Sequence, residues 1–487
     1  MRVHKILGLC FLLGVGGATP FSSVEAAGPV MLKLLRVLKD RGSISQQEYD
    51  EMVAAVADES AASSPKTVVA LPVVESKTNG SVTVPPKAAE SAQGSVKSAA
   101  PLTTDSFSKI LKSKWYERLG VKGYTQFRYT SILSQDGADL MVPNDRSVAE
   151  NSSFYIRRAR VVLSGDVSEH LLLYIQPDLN GSPTSGDFSV QLRDLYGDIS
   201  FDTDKEYRIR IGQSKVPFGW SNLQSSANRA PLERPDAINS VAEGERDIGA
   251  FFYWAPDAIR KRYADLVKLG LKGSGDYGVL GLGAYSGQGL NRLDFNGDPH
   301  FVARASYPFQ LPNGQFFETG VQAYSGRFVT SSQTIGSGAS AITPLARPDG
   351  TADQRAGVSA VWYPQPFGVE AEWNFGIGPE LSSDRRTISA GSLNGGYVQL
   401  SYKDDNRLGA WFPFLRWQSY QGGRKFAINA PSERVNELDF GIEWAPWPAV
   451  EFTVQYTRTF ERTNTKIAPY LNSESADRIS VQAQINY

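Results

Sequence analysis

Arg478-Ile479-Ser480-Val481-Gln482-Ala483-Gln484-Ile485-Asn486-Tyr487 carries an apolar or aromatic side chain at every odd position and a polar one at every even position. Successive side chains of a strand point to opposite faces, so this period of two marks a β-strand with one apolar and one polar face. The same alternation runs through Val450 to Arg458, where Val450, Phe452, Val454 and Tyr456 interleave with Glu451, Thr453, Gln455 and Thr457. It recurs in Tyr207–Ile211, in Val369–Phe375 and in Leu438–Trp444. A soluble sandwich turns its apolar faces inward. A membrane barrel turns them toward lipid and lines water with the polar faces. Alternation alone does not choose between the two.

Three features favour the barrel. Aromatic residues gather near strand ends, as in Trp362-Tyr363 and Trp444-Ala445-Pro446-Trp447, where interfacial girdles belong. Connections alternate in length: Val167–His170, Asp202–Glu206 and Ala445–Ala449 are short, whereas 131–152, 214–246, 326–354 and 459–476 are long. That asymmetry fits short periplasmic turns and long external loops. The chain also ends in an amphipathic strand closed by an aromatic residue, Tyr487.

Seventeen segments have strand character, near 121–130, 154–164, 171–178, 190–201, 207–213, 247–254, 265–272, 278–285, 301–307, 315–325, 356–363, 367–375, 396–403, 411–420, 435–444, 450–458 and 478–487. Single-chain bacterial barrels use even strand numbers. Up-and-down order breaks between 247–254 and 265–272, so one of these is expected to be loop structure. The expectation is an all-β, antiparallel transmembrane barrel of 16 strands, with 18 left open.

The chain has 487 residues, with 50 Lys+Arg against 51 Asp+Glu. This balance gives no basic excess for nucleic acid. Arg2, His4 and Lys5, the apolar run Ile6–Val15 and the small residues around Ala26 read as a secretory signal peptide over 1–26. Its loss removes two cations and one carboxylate and takes the formal charge from −1 to −2. The single cysteine, Cys10, lies in that segment, so the mature chain has no thiol chemistry. No apolar run beyond it reaches the roughly 18–20 residues of a membrane helix.

Residues 27–58 read as a helical hairpin. Met31, Leu32, Leu34, Leu35 and Leu38 form an apolar stripe, Gly42 a stop, and Ser45 with Glu48 a capping box. The hairpin is a candidate oligomerisation element or a periplasmic tether to peptidoglycan or another protein. Residues 59–110, rich in Ala, Ser, Pro and Lys, read as a flexible linker. The barrel then occupies 111–487.

Phe154-Tyr155-Ile156-Arg157-Arg158-Ala159-Arg160-Val161-Val162-Leu163-Ser164-Gly165, Arg208–Gly219 with its Gly-Gln-x-Lys-x-Pro-Phe-Gly run, and Tyr285–Asn291 resemble the phosphate-selective porin O and P family. The resemblance covers about 115–487. It implies a Gram-negative outer-membrane channel of 16 strands, a homotrimer embedded in outer-membrane lipid, with basic residues lining the lumen and an infolded loop at the place of 214–246. The terminal Tyr departs from the commoner Phe.

Strand phase places Arg158 and Arg160 on one polar face, and Arg208 and Arg210 on another. Residues two apart on one face lie roughly 6.6 Å apart. Such a ladder can replace an anion's hydration shell stepwise. Lys215, Arg229, Arg234 and Arg246 lie on or around the long connection, and Arg128 and Arg304 are further lumen candidates. Arg157 falls out of phase and is assigned to the membrane interface. The function expected is passive diffusion of small hydrophilic solutes with a preference for small anions, phosphate or similar oxyanions. Glu370, Glu372, Asp439, Glu443 and Glu451 share the polar face, so a mixed-charge general porin is an alternative. A carbohydrate-type porin is another, with Tyr124, Phe251, Tyr253 and Tyr285 as lumen aromatics.

Gly273-Ser274-Gly275-Asp276-Tyr277-Gly278 matches a dinucleotide fingerprint formally, but Val279–Gly283 reads as strand rather than helix, so a hairpin turn is the better reading. Asp294–Asp298 lacks the spacing of a cation loop and reads as a solvated turn. His170 and His300 stand apart, which disfavours zinc and an outer-membrane hydrolase. No metal, cofactor or catalytic set is expected. A secreted β-sandwich binding protein is the remaining rival.

Overall fold

The computed structural model describes residues 114–136, 153–181, 188–464 and 472–487, together with Gln46. Apart from Gln46, the signal peptide, helical hairpin and linker expected at 1–26, 27–58 and 59–110 lie outside the described residues. Strands β1 (Gly120–Asp136), β2 (Ser153–Ser168), β3 (Leu171–Gly181), β4 (Phe188–Ser200), β5 (Tyr207–Lys215), β6 (Arg246–Trp254), β7 (Leu280–Tyr285) and β8 (His300–Gln310) form half of one sheet. Strands β9 (Phe316–Phe328), β10 (Thr351–Trp362), β11 (Phe367–Leu381), β12 (Ile388–Tyr402), β14 (Gly409–Gly423), β15 (Ser432–Trp447), β16 (Val450–Thr463) and β17 (Asn472–Asn486) form the rest. β13 (Asp404–Asn406) is a three-residue ribbon that pairs with β14 alone. The wall therefore has 16 strands, each antiparallel to its neighbours.

β17 pairs with β1, and that pairing closes the barrel. Gly123 and Tyr487 exchange backbone hydrogen bonds of 2.6 and 3.0 Å at the seam. Closure satisfies the backbone polar groups that an open edge would present to lipid.

The faces are inverted relative to a soluble protein. In β8, His300, Val302, Arg304 and Ser306 are buried inside, whereas Phe301, Ala303, Ala305 and Tyr307 are exposed outside. In β15, Glu437, Asp439 and Glu443 point inward while Leu438, Phe440 and Ile442 are exposed. This is the orientation of a wall between lipid and a polar lumen.

Of the two competing strand candidates, 247–254 is β6. The other, 265–272, covers the end of a helix and the turn after it. Among the described residues the connections carry three α-helices, α1 (Trp220–Leu223), α2 (Asp236–Asn239) and α3 (Asp257–Lys268). In α3, Ile259, Tyr263 and Leu266 fall at helical spacing and bury one face. Asp257 in the first turn and Lys268 in the last complement the helix dipole. A window that begins at 265 shows only the apolar end of that pattern. The connection 255–279 is thus a long insert at the end of the barrel where the other turns are short.

The connection 216–245 enters the lumen, as expected for 214–246. Val216, Phe218, Val241 and Ala242 pack against Phe251, Tyr253, Tyr285, Val302 and Tyr324. Trp220 packs with Ile259, Tyr263 and Leu266 of α3 and with Phe316, Val361 and Tyr363. Ala237 and Ile238 reach Leu393, Tyr397, Tyr420 and Val435. Each fully buried large apolar side chain stabilises by roughly 1.5–3 kcal/mol. Polar anchors add direction. Trp220 N and Ser221 N donate to the Glu372 carboxylate at 2.8 and 3.1 Å, and Asn374 Nδ2 donates to Ala237 O at 2.7 Å. Gly219, the last residue of the Gly-Gln-x-Lys-x-Pro-Phe-Gly run, has φ +87°, and a Cβ there would meet Ile238 Cγ2 at 2.7 Å.

Candidate functional site in the lumen

Two bulges decide which arginines face the lumen. Between β1 and β2, Gln126 is opposite Arg158 but Phe127 is opposite Ile156, so Arg157 is an extra residue. Between β3 and β4, Gln176 is opposite Asp194 but Pro177 is opposite Leu192, so Arg193 is extra. A bulge breaks strict in-out alternation. Arg157 and Arg158 are consequently both buried inside, as are Arg193 and Asp194. This corrects the assignment of Arg157 to the membrane interface.

Beside the inserted segment lies an upper chamber of about 310 Å³, toward the long connections. Arg157, Arg158, Arg160, Arg193, Arg234 and Arg292 line it with three carboxylates, Asp178, Glu233 and Glu245. The carboxylates of the inserted segment sit in arginine clusters. Glu233 is approached by Arg128 Nη1 at 2.5 Å, Arg157 Nε at 2.9 Å and Arg158 Nη2 at 3.3 Å. Glu245 is approached by Arg246 at 2.5 Å, Arg234 at 2.7 Å and Arg193 at 3.1 Å. Burial alone would raise both carboxyls. The surrounding guanidiniums, Arg157 foremost for Glu233 and Arg234 foremost for Glu245, instead hold both well below the usual carboxylate range.

A lower chamber of about 350 Å³ lies toward the short turns. Lys122, Arg160, Arg210, Lys215 and Arg246 line it against Asp194 and Asp276, with Tyr174, Tyr196 and Tyr277. Arg160 belongs to both chambers. Arg210 makes a two-pronged pair with Asp198 at 2.7 and 2.8 Å and lies 3.9 Å over the Tyr196 ring. Lys215 Nζ donates to the Leu223 and Gln224 carbonyls at 2.7 and 2.9 Å, not to a carboxylate. The insert 255–279 supplies the floor: Ser274, Gly275, Asp276 and Tyr277 line this chamber. The Gly273–Gly278 run is therefore the lumen-facing end of an insert and not a hairpin turn.

In both chambers cations outnumber carboxylates, and low-dielectric walls concentrate the resulting field. Among the described residues, no three His, Cys, Asp or Glu side chains converge as metal ligands. A family model, Phosphate-selective porin O and P, matches residues 127–487. The chain belongs to this family. Family membership and the closed barrel make it an outer-membrane channel. No curated protein matches it.

Several solved structures are similar to this porin. They include the outer membrane channel DcaP of Acinetobacter baumannii, at 14% identity and TM-score 0.47, covering 76% of this chain and 97% of that one. Salmonella typhi OmpF in complex with daunomycin has 12% identity and TM-score 0.47, covering 76% and 97%. An anion-selective porin from Comamonas acidovorans has 9% identity and TM-score 0.41, covering 76% and 99%.

The porin brings some sequence candidates together and leaves others apart. Arg158, Arg160 and Arg234 line the upper chamber, and Arg160, Arg210 and Lys215 the lower one. Arg128 lies behind Glu233 rather than on a chamber wall. Arg208 pairs with Asp276 at 2.9 Å. Arg229 donates to the Pro231 and Leu232 carbonyls and supports the fold of the inserted segment. Arg304 pairs with Glu318 at 3.3 Å, away from both chambers. Phase reasoning missed Arg193 because the bulge is set by the partner strand. It missed Arg292 because that residue sits on a connection. Of the aromatic candidates, Phe251, Tyr253 and Tyr285 pack against the inserted segment, and Tyr124 accepts a hydrogen bond from Arg160 Nη1 at 2.8 Å.

Proposed function

We propose that this porin passes small hydrophilic solutes passively and prefers anions, phosphate and similar oxyanions among them. The observation that carries this reading is Arg160, shared by two chambers that each hold more cations than carboxylates. An anion leaving one chamber meets the same guanidinium in the next, so it need not be fully rehydrated between them. The planar fork of arginine suits oxyanions because it offers two parallel donors. Of the aromatic candidates for a carbohydrate slide, Phe251, Tyr253 and Tyr285 are engaged in packing, and the aromatics that do line the lower chamber, Tyr174, Tyr196 and Tyr277, stand among its cations. In this reading the barrel works as a homotrimer, with the N-terminal segment on the periplasmic side.

The test is the zero-current potential of the purified porin in a planar bilayer under a KCl gradient, followed by phosphate titration. Chloride preference with partial block by phosphate is the expected result. Conductance without selectivity would make this a general porin, and the arginines would then only balance charge.

A further inference from the structure

The inserted segment places an anion of its own in the arginine cluster of the upper chamber. Arg157 holds Glu233 with both prongs, Nε to Oε1 at 2.9 Å and Nη2 to Oε2 at 3.0 Å. This is the geometry a solute carboxylate or phosphate would take. Glu233, Arg157 and Arg158 all line the upper chamber, with side chains 18%, 10% and 6% exposed, so the carboxylate and the guanidiniums that hold it face the same space. The backbone around Glu233 is fixed. Arg416 Nη1 donates to Glu233 O at 2.7 Å, and Leu232 N donates to Gln455 Oε1 at 2.9 Å.

We propose that Glu233 is a tethered competitor for the anions that cross the upper chamber, and so a specificity-determining residue of this porin. A solute oxyanion gains the Arg157 and Arg158 donors only as Glu233 gives them up. With the backbone held on both sides, the exchange is a rotation of the Glu233 side chain and needs no movement of the inserted segment. Glu233 thereby keeps solute binding weak enough for release, which conduction requires. The inference rests on the anion-conducting reading above.

The test compares Glu233→Gln with wild type and with Glu451→Gln. Glu451 is a half-buried carboxylate on the polar face of β16 that accepts a hydrogen bond from Asn486 and lines neither chamber. Zero-current potential and block of chloride current by inorganic phosphate are read for all three, on barrels with unchanged heat-modifiable mobility in electrophoresis. Glu233→Gln is expected to tighten phosphate block about tenfold, one strong charge-assisted interaction's worth, while Glu451→Gln leaves it near wild type. Equal tightening in both variants would reduce the effect to net charge and overturn the proposal. Unchanged block in Glu233→Gln, with wild type anion-selective, would also overturn it. A wild type without anion preference would instead overturn the reading beneath it. If Glu233→Gln does not fold, Glu233→Asp serves. Its shorter reach is expected to tighten block by a smaller factor, and no change would overturn the proposal.

Discussion

Arg157 and Glu233, 76 positions apart, meet as a two-pronged ion pair at 2.9 and 3.0 Å because strand β2 bulges at Arg157. Without that extra residue, strict alternation would send Arg157 outward to lipid, where a central charge costs about 2–4 kcal/mol. The bulge turns a costly outward arginine into a second guanidinium beside Arg158. The inserted segment supplies the carboxylate that both need.

Arg160 and Arg304 separate a conducting role from a structural one. Arg160→Gln is expected to lower the anion-over-cation permeability ratio by about fivefold. That is the effect of roughly 1 kcal/mol, the interaction of two charges about 4 Å apart in water, and it also leaves Asp178 without its 2.9 Å partner. Arg304→Gln, which removes the partner of Glu318 outside both chambers, is expected to leave the ratio near wild type. Bi-ionic potentials in planar bilayers measure both. Equal losses would show that the chambers do not define the path.

Trp220 holds the inserted segment against the wall and the insert below it. Its ring is 1% exposed, and Nε1 donates to Glu318 Oε2 at 3.2 Å. Trp220→Ala is expected to destabilise the barrel by about 3–5 kcal/mol and to raise single-channel conductance with added current noise. A urea melt in detergent reads the first effect and bilayer recording the second. A stable, quiet channel of wild-type conductance would show that the segment is held by its polar anchors alone.

Lys425, on the connection after β14, gives the barrel a specific pH dependence. Its ammonium lies 5.0–5.3 Å from the Tyr324, Phe328 and Phe426 ring centres. Burial, with Arg355 close by, pushes it down to about 8 despite the 2.5 Å pair with Asp353. In an unfolded chain it titrates near 10.5. Between these values the unfolded state binds more protons, so this group's contribution to stability increases as pH rises from about 8 to 10.5. Below about 8 its destabilising contribution is complete. Lys425→Met is expected to remove this increase, as read from urea midpoints between pH 7 and 10. A wild-type curve parallel to that of the variant would disprove it.

The wall was legible because its signal is local. Val454 against Gln455, or Val481 against Gln482, shows two faces within a few residues, and aromatic ends with alternating turn lengths point to a barrel. The helix at 257–268 was less legible, since an insert at the short-turn end breaks the length rule and only its last turn was read as a segment. The charged wall was legible in part. Arg158, Arg160 and Arg210 follow from phase, whereas Arg157 and Arg193 do not, because a bulge depends on how two strands register.

By itself, then, the order of residues determined the strand faces and pointed to the barrel class through side-chain period and connection length, while the place of the infolded segment came from the family resemblance. Only the tertiary structure decided which arginines share a chamber and which carboxylate each one meets. Those pairings join residues such as Arg128 and Glu233, 105 positions apart with a 2.5 Å contact, and exist only once β1 and β17 have closed the wall around the inserted segment.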